Sequence, residues 1–356
     1  MIPANGQIAR FLNETPFNAG PSFRGTFTFN ASAPIGVIAL RGLTNERAEF
    51  LITTLPVVDL SAAVSETVVV PHFADGGGLT TTIVLVNSTD APETGSIQFF
   101  GQGSTAAAAQ PLSVRVNNQD NSTFAYTVPA RTSVRLQTAG STAAVRSGSV
   151  RVTPTGTNRT PSALAIFSFK NAGVTVAEAG VPALPAASAF RMYVEASGDF
   201  SQSAAGSIQT GIAIANTSSA PVPVNSELTN LAGASTGLAS SVTVPAQGQI
   251  AMFLNQIPGF QPLQLPFQGM LRISTTSPSG ISIVGLRGRY NERRDFLITT
   301  TPPVNEASTA SSAEMIFPHW AGGGGYSTQF ILFSRVPSQT SGGMLRFFSQ
   351  IGQPLI

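Results

Sequence analysis

Cysteine is absent from this 356-residue sequence, and charged residues make up only 10% of it. Without cysteine, the chain can form neither a disulfide scaffold nor a cysteine-ligated zinc site. A typical soluble domain carries roughly 25% charged residues. The low charge, together with 42% hydrophobic residues, excludes a solvated disordered chain. It also excludes a coiled coil, which needs Glu and Lys at heptad spacing.

Basic residues are scattered, and Lys170 is the single lysine beside 18 arginines. Nucleic-acid binding requires clustered Lys and Arg, so we expect no nucleic-acid partner. No run of about 18 apolar residues occurs, so we expect no membrane-spanning helix. Residues 1–6 have neither the charged nor the apolar region of a signal peptide, so we expect none there. The 34 glycines and 25 prolines instead indicate a turn-rich β protein.

Internal repetition is the strongest pattern in the sequence. Residues 41–54 recur at 287–300, which is 246 positions later. A Val-Pro-Ala tripeptide at 128–130 and again at 244–246 marks a weaker copy halfway, so the unit has about 120 residues. This period predicts a terminal strand and linker of another module, then a first, a divergent second and an incomplete third repeat: 1–22, 23–145, 146–267 and 268–356.

Each repeat consists of short stretches rich in Val, Ile, Thr and Phe, separated by turn residues. Short turns without intervening helical stretches favour antiparallel pairing, and about eight strands in each repeat are typical of a β-sandwich. We therefore predict an all-β chain of tandem antiparallel sandwich modules. The predicted strands of the first repeat are 25–30, 35–43, 49–55, 67–73, 81–87, 96–100, 112–116, 123–128 and 133–137.

Three local features carry a resemblance to a known class of modules. A strand ends in Asn at 84–87, a second strand follows at 97–100, and a Val-Pro-Ala turn precedes the last strand. The pattern resembles the immunoglobulin-like sandwich modules that are repeated in large secreted bacterial proteins. Such modules commonly serve as spacers, adhesins, or components of surface layers and fibres. The resemblance implies a structural role at the cell surface or outside the cell.

The sequence opens on a segment that belongs to the end of a module. Residues 2–13 match 244–255, whereas the third repeat lacks a counterpart of residues 113–145. Three arrangements fit: a segment of a longer array, head-to-tail assembly with copies of itself, or closure within one chain. In head-to-tail assembly, residues 2–12 add a strand to the open third module of the next copy. The apolar residues of this assembly strand are Ile2, Ile8, Phe11 and Leu12.

The two histidines, His72 and His319, occupy the same repeat position. A catalytic histidine usually occurs once, with partners arranged around it. A metal site with only two protein ligands is rare, and Asp75 beside His72 has no counterpart in the third repeat. We therefore expect both histidines to fix the following glycine loop by hydrogen bonds.

Two repeated Asn-Glu-Arg turns contain the other distinctive charges. Side chains in these turns are expected to tie the turn or to bridge to a neighbouring module. Acidic residues three positions apart on a hairpin offer no cleft between paired carboxylates, so we expect no glycosidase site. No catalytic residue, metal ligand or cofactor is predicted. The repeated charges are Glu46, Arg47, Glu292 and Arg293.

Six Asn-x-Ser/Thr sequons occur, several of them at strand ends or in turns, where a glycan would be tolerated. Asn, Ser and Thr are also common turn residues, and we favour that structural interpretation. The possible glycosylation sites are Asn13, Asn30, Asn87, Asn121, Asn158 and Asn216.

The sequence thus predicts a non-enzymatic extracellular structural protein. It would be a filament subunit or part of a tandem-repeat surface array, and its partners would be copies of itself or adjacent repeats. A glycan-binding adhesin is the alternative function. Trp320, the single tryptophan, is the residue that would test it.

Overall fold

The computed structural model describes residues 1–20, 23, 25–58, 64–308, 314–334 and 340–355. They fall into two compact units, one of Ala39–Ser308 and one of Met1–Ile38 with Thr309–Ile356. The described residues form antiparallel sheets with almost no helix, so the all-β class is confirmed. Within the described ranges, no helix has the length and apolar character that a membrane crossing requires.

The larger unit begins with a hairpin of β1 (Ala39–Thr44) and β2 (Phe50–Leu55). A first sandwich follows. Its strands are β3 (Val68–Asp75), β4 (Leu79–Val86), β5 (Glu93–Phe100), β6 (Val114–Val116), β7 (Gln119–Asn121), β8 (Thr123–Val128), β9 (Ser133–Gln137), β10 (Arg146–Pro154), β11 (Ser162–Asn171) and β12 (Val174–Pro182). One sheet has the order β3-β10-β5-β8 and the facing sheet has the order β12-β11-β4-β9, while β6 and β7 form a small separate hairpin.

Alternation of inward and outward side chains builds the core of the first sandwich. In β8, for example, Phe124, Tyr126 and Val128 are buried and the residues between them are exposed. They pack with Phe99 of their own sheet and with Leu85 of the facing sheet. Each large apolar side chain buried in this way contributes about 1.5–3 kcal/mol to stability. The two sheets are therefore held together by one continuous apolar layer.

A second sandwich repeats this arrangement. Its elements are β13 (Ala189–Ser197), β14 (Ile208–Ala215), β15 (Val222–Asn230), β16 (Ser235–Val244), β17 (Gln249–Phe253), a 3-10 turn (Leu254–Gln256), β18 (Phe267–Ser274), β19 (Ser282–Tyr290), β20 (Phe296–Thr301) and β21 (Val304–Asn305). The orders β13-β18-β15-β16 and β20-β19-β14-β17 reproduce the two sheets of the first sandwich strand for strand. Here the two sheets are also joined, because the ends of β13 and β14 pair with each other.

The sandwich architecture is thus confirmed, but its strand order has its own pattern. In an immunoglobulin constant-type sandwich, the first two strands pair within one sheet. Here β3 and β4 lie in opposite sheets. The boundary predicted at residue 145 lies inside the first sandwich, between β9 and β10. Strands β10 to β12 complete the two sheets of the first sandwich. Its core therefore extends beyond the end of the first sequence repeat.

The smaller unit contains little regular structure, with β22 (Phe347–Phe348) and β23 (Pro354–Leu355) as its strands in the described residues. Trp320 packs edge-on against Phe347, with 5.6 Å between the ring centroids. The strand predicted at 25–30 is not formed. Its counterpart in the second sandwich, β18, is paired on both sides, by β13 and β15. A strand-like sequence needs such neighbours before its backbone groups form a ladder.

One contact recurs in all three repeats, at the hairpin loop that joins β3 to β4 in the first sandwich and β13 to β14 in the second. In the first sandwich, the Thr81 hydroxyl accepts the backbone N–H of Ala74 at 3.0 Å and donates to its carbonyl at 2.8 Å. Thr210 makes the same pair of bonds with Glu195. Thr328 makes them with Ala321 in the smaller unit. Residues 321–328 therefore retain the local structure of their repeat.

Candidate functional site

The docking segment, residues 244–255, connects the second sandwich to the first. The backbone N–H of Gln249 donates to the carbonyl of Gln102 at 2.9 Å. Ala246 accepts the N–H of Ala109 at 2.8 Å. The turn before β17 permits this approach because it contains Gly248, where a Cβ would collide with the carbonyl oxygen of Gln102. β17 pairs with β14 at the same time, so the segment belongs to one core while it contacts the next.

His72 lies on β3 at the centre of this contact. Its Nδ1 is 3.1 Å from Nε2 of Gln249, and its ring packs 5.6 Å from that of Phe167. Burial lowers the pKa of His72 to about 4. The imidazole is therefore neutral at neutral pH and can accept a hydrogen bond from the Gln249 amide. The structure thus places His72 against another module, where the sequence predicted a contact with its own glycine loop.

An apolar patch extends the contact between the sandwiches. Phe167, Ala179 and Val181 of the first sandwich pack against Ala213 and Val284 of the second. All five side chains are buried, although they point away from the core of either sandwich. Removing this apolar surface from water favours the docked arrangement.

The three-hairpin junction is a second contact region, formed by the turns of the β1–β2, β11–β12 and β19–β20 hairpins. The Asn-Glu-Arg turns share one geometry. Asn45 Oδ1 accepts the N–H groups of Arg47 and Glu49, each at 2.9 Å. Asn291 repeats this pattern at 3.0 and 2.8 Å, with the N–H groups two and four residues further on. The asparagine therefore ties each turn, and the charged residues remain available for contacts between modules.

Two of these turns contact each other reciprocally. Arg47 pairs with Asp295 at 2.6 Å, and Arg293 pairs with Glu49. Because Arg47 corresponds to Arg293 and Glu49 to Asp295, the two ion pairs are related like the contacts across a two-fold axis. Asp295 is buried, which opposes ionisation. Its hydrogen bonds to Arg47 and Asn171 nevertheless hold the pKa of Asp295 below its usual value.

The glutamates of the two turns differ in their contacts. The carboxylate of Glu46 accepts the backbone N–H of Thr175 at 2.7 Å and lies 3.1 Å from Nζ of Lys170. The bond from Thr175, a second backbone N–H and the lysine together lower the pKa of Glu46 to about 2. Glu292, in contrast, is exposed and pairs with Arg289 at 2.9 Å. Glu46 thus bridges the β1–β2 and β11–β12 hairpins, whereas the ion pair of Glu292 lies within its own hairpin.

The smaller unit repeats the docking contact with the other histidine. The N–H of Gln7 donates to the carbonyl of Gln350 at 3.0 Å, and Nε2 of Gln7 lies 3.3 Å from Nδ1 of His319. These atoms correspond one by one to those of the Gln249 contact. Sequence reasoning missed the glutamine in both copies. Its signal was present as the identical Gly-Gln dipeptide within the matching segments 2–13 and 244–255.

The residues predicted to form the assembly strand lie in the same unit, which combines both ends of the chain. All four are more than a third exposed in the structure. Leu12 is 39% exposed, whereas its counterpart Leu254 is 1% exposed within the second core. The segment therefore keeps its polar docking contact without burying its apolar side chains. The four residues are Ile2, Ile8, Phe11 and Leu12.

The six sequons separate into two groups. The side chains of Asn87 and Asn216 are buried, and each amide donates both to a carbonyl in the turn after its strand and to a carbonyl of the Val-Pro-Ala segment. A glycan on either amide would displace those bonds, so these two positions are structural in the folded module. Glycosylation stays a prediction at the exposed positions Asn13, Asn30, Asn121 and Asn158.

Comparisons of the chain with family models, with curated proteins and with solved structures found no match. The Gln249–His72 contact, the apolar patch and the reciprocal Arg–carboxylate pairs have one property in common, which is that each joins separate parts of the larger unit to one another.

Proposed function

We propose that this chain is a non-enzymatic structural protein of the cell surface or the extracellular space. Its sandwich modules dock into a stiff unit that serves as a filament subunit or as a segment of a longer tandem array. Residues 2–12 take part in head-to-tail joining. The observation that carries the proposal is the docking contact, which uses the same Gln, Gln and His positions in both units.

The chemistry of the contacts supports a stiff arrangement. The two sandwiches share a buried apolar patch, and its polar neighbours have specific partners. The three-hairpin junction adds a buried carboxylate with its arginine. Modules joined only by a linker would lack such contacts, and relative motion would be expected.

The low charge of the chain supports self-association. Few charges must be desolvated when such surfaces meet, and desolvation is a main cost of burying ionic groups. Lysines on edge strands usually prevent unwanted pairing with other chains, and this chain has a single lysine.

Small-angle scattering and negative-stain microscopy of the full chain test the proposal. We expect docked sandwiches that scatter as one rigid body, and uniform filaments at high concentration. Val181→Arg places a charge in the apolar patch and should loosen the particle, whereas Val145→Arg changes a valine that is 52% exposed and should not. Scattering that is the same for both variants would show that the patch does not hold the sandwiches together. A dispersed monomer at all concentrations would contradict the filament.

A further inference from the structure

We infer that residues 7–11 of one copy form an antiparallel strand against residues 329–333 of a second copy, with Ala9 opposite Ile331. This inference rests on the proposed function and specifies how the copies join. It starts from the rule that both sandwiches follow. In each, the strand after the Val-Pro-Ala turn pairs with the strand that leaves the hairpin loop, as β9 with β4 and β17 with β14.

The register follows from the two observed pairs. Val84 lies opposite Arg135 in the first sandwich, and Ala213 lies opposite Ala251 in the second. The shared threonine contact of the hairpin aligns residues 328–333 with 81–86, which places Ile331 at the position of Val84. The match of 2–13 with 244–255 places Ala9 at the position of Ala251.

Both segments lack strand partners in the part of the chain that the structure describes. Leu332 is 60% exposed, whereas its counterpart Leu85 is completely buried in the first core. Phe11 is 59% exposed on the other segment. Pairing the two segments would satisfy their backbone groups and would cover apolar surface on both.

A second copy is the partner because the segment of the same chain already occupies a different position. In the larger unit, the docking residue Gln249 contacts β3, whereas the completing strand β9 pairs with β4. Because β3 and β4 lie in opposite sheets, docking and strand completion use different positions on the first sandwich. Gln7 lies at the corresponding docking position, beside His319. It therefore leaves residues 329–333 of its own chain available to the segment of another copy. β17 combines both roles, since it docks on one sandwich while it pairs within the next.

The geometry favours a disulfide as a probe of this register. The N–H of Gln249 points away from β14 towards Gln102, so position 249 belongs to a non-hydrogen-bonded pair, as does position 251 two residues further on. In such pairs the Cα atoms are about 4.5 Å apart, within the range that a disulfide spans. The chain has no cysteine of its own, so every disulfide must form between the introduced residues.

The experiment mixes two single-cysteine variants of the full chain, Ala9→Cys and Ile331→Cys, under mild oxidation. We expect several-fold more disulfide-linked dimer than from Ala9→Cys mixed with Phe330→Cys, because a shift of one residue turns the side chain to the other face. Phe11→Cys with Gln329→Cys is a second pair in the same register. Both of its positions are exposed, so these changes are tolerated even if the first pair disturbs folding.

Two results would overturn the inference. If the double variant Ala9→Cys/Ile331→Cys forms only an intramolecular disulfide, the segment closes its own module. If both in-register mixtures give no more dimer than the control, the register is wrong. Microscopy of the same samples then separates the two proposals. Filaments without the crosslink would leave the proposed function standing, and the absence of both would reject it too.

Discussion

Replacing Asn216 by alanine should destabilise the second sandwich strongly. The side chain is completely buried, and its Nδ2 donates to the carbonyls of Ala220 at 2.7 Å and Pro245 at 3.0 Å. Its Oδ1 accepts the N–H and the hydroxyl of Ser218 at 2.9 and 2.7 Å. The substitution leaves these groups without a partner in a buried turn. Each buried group left unsatisfied costs about 1–3 kcal/mol.

Water can reach some of the four groups after the substitution, so we expect the free energy of unfolding to fall by about 2–4 kcal/mol in total. Urea unfolding followed by circular dichroism measures it as a shift of the midpoint at constant slope. Asn87→Ala should cost a similar amount, because Asn87 makes the corresponding bonds in the first sandwich. Asn158 is the matched control, since it belongs to an exposed sequon and makes one side-chain bond, to Thr94.

An isosteric change at the same position should also destabilise the second sandwich. Asn216→Asp keeps the shape of the side chain but replaces the donating amide by an acceptor that faces carbonyl oxygens. It should therefore be at least as destabilising as Asn216→Ala at neutral pH. A neutral effect of Asn216→Asp, or a loss from Asn158→Ala equal to that from Asn216→Ala, would refute the assignment.

Two further predictions concern the contacts between modules. His72 has a folded-state pKa of about 4 against 6.5 when unfolded, so the unfolded chain binds the extra proton first. Stability should therefore be lost as the pH falls from about 6.5 to 4, by at most about 3 kcal/mol. Denaturation midpoints at a series of pH values should show this, and His72→Asn should remove that part of the pH dependence. An unchanged profile would place the titration elsewhere. Arg47→Met should lower the thermal midpoint more than Arg293→Met, because the first leaves the buried Asp295 without its cation. The second leaves a carboxylate that is about a third exposed. Equal shifts in calorimetry would contradict this difference.

Two kinds of contact hold the modules together, and they differ in specificity. Burial of the apolar patch stabilises contact with any surface that packs closely against it. The Gln–His contact and the reciprocal Arg–carboxylate pairs require particular residues at particular positions. The second sandwich has no histidine, so it cannot offer the same docking position that His72 provides. The histidine therefore distinguishes the first and third repeats from the second as docking partners.

The sequence by itself determined the β class, the period of the repeat and the Asn-Glu-Arg turns. These features depend on alternating apolar residues, turn-forming residues and the asparagine of each turn, all of which act over a few positions. The sequence did not determine that the first two strands of each sandwich lie in opposite sheets, or where each core begins within the repeat. The sheet of each strand depends on which distant strands pair with it. The start of each core cannot be read from a periodic sequence, because the period is the same wherever the first repeat is taken to begin.

The same limit applies to the candidate site. The sequence singled out His72 and His319, but their glutamine partners lie 177 and 312 residues away along the chain. It marked Asn87 and Asn216 as sequons, and only burial showed that their amides hold a turn together. Residue type and spacing fix what a side chain can bond to. The tertiary structure decides which partner it meets, because packing brings distant segments within hydrogen-bond distance and excludes the water that would otherwise compete.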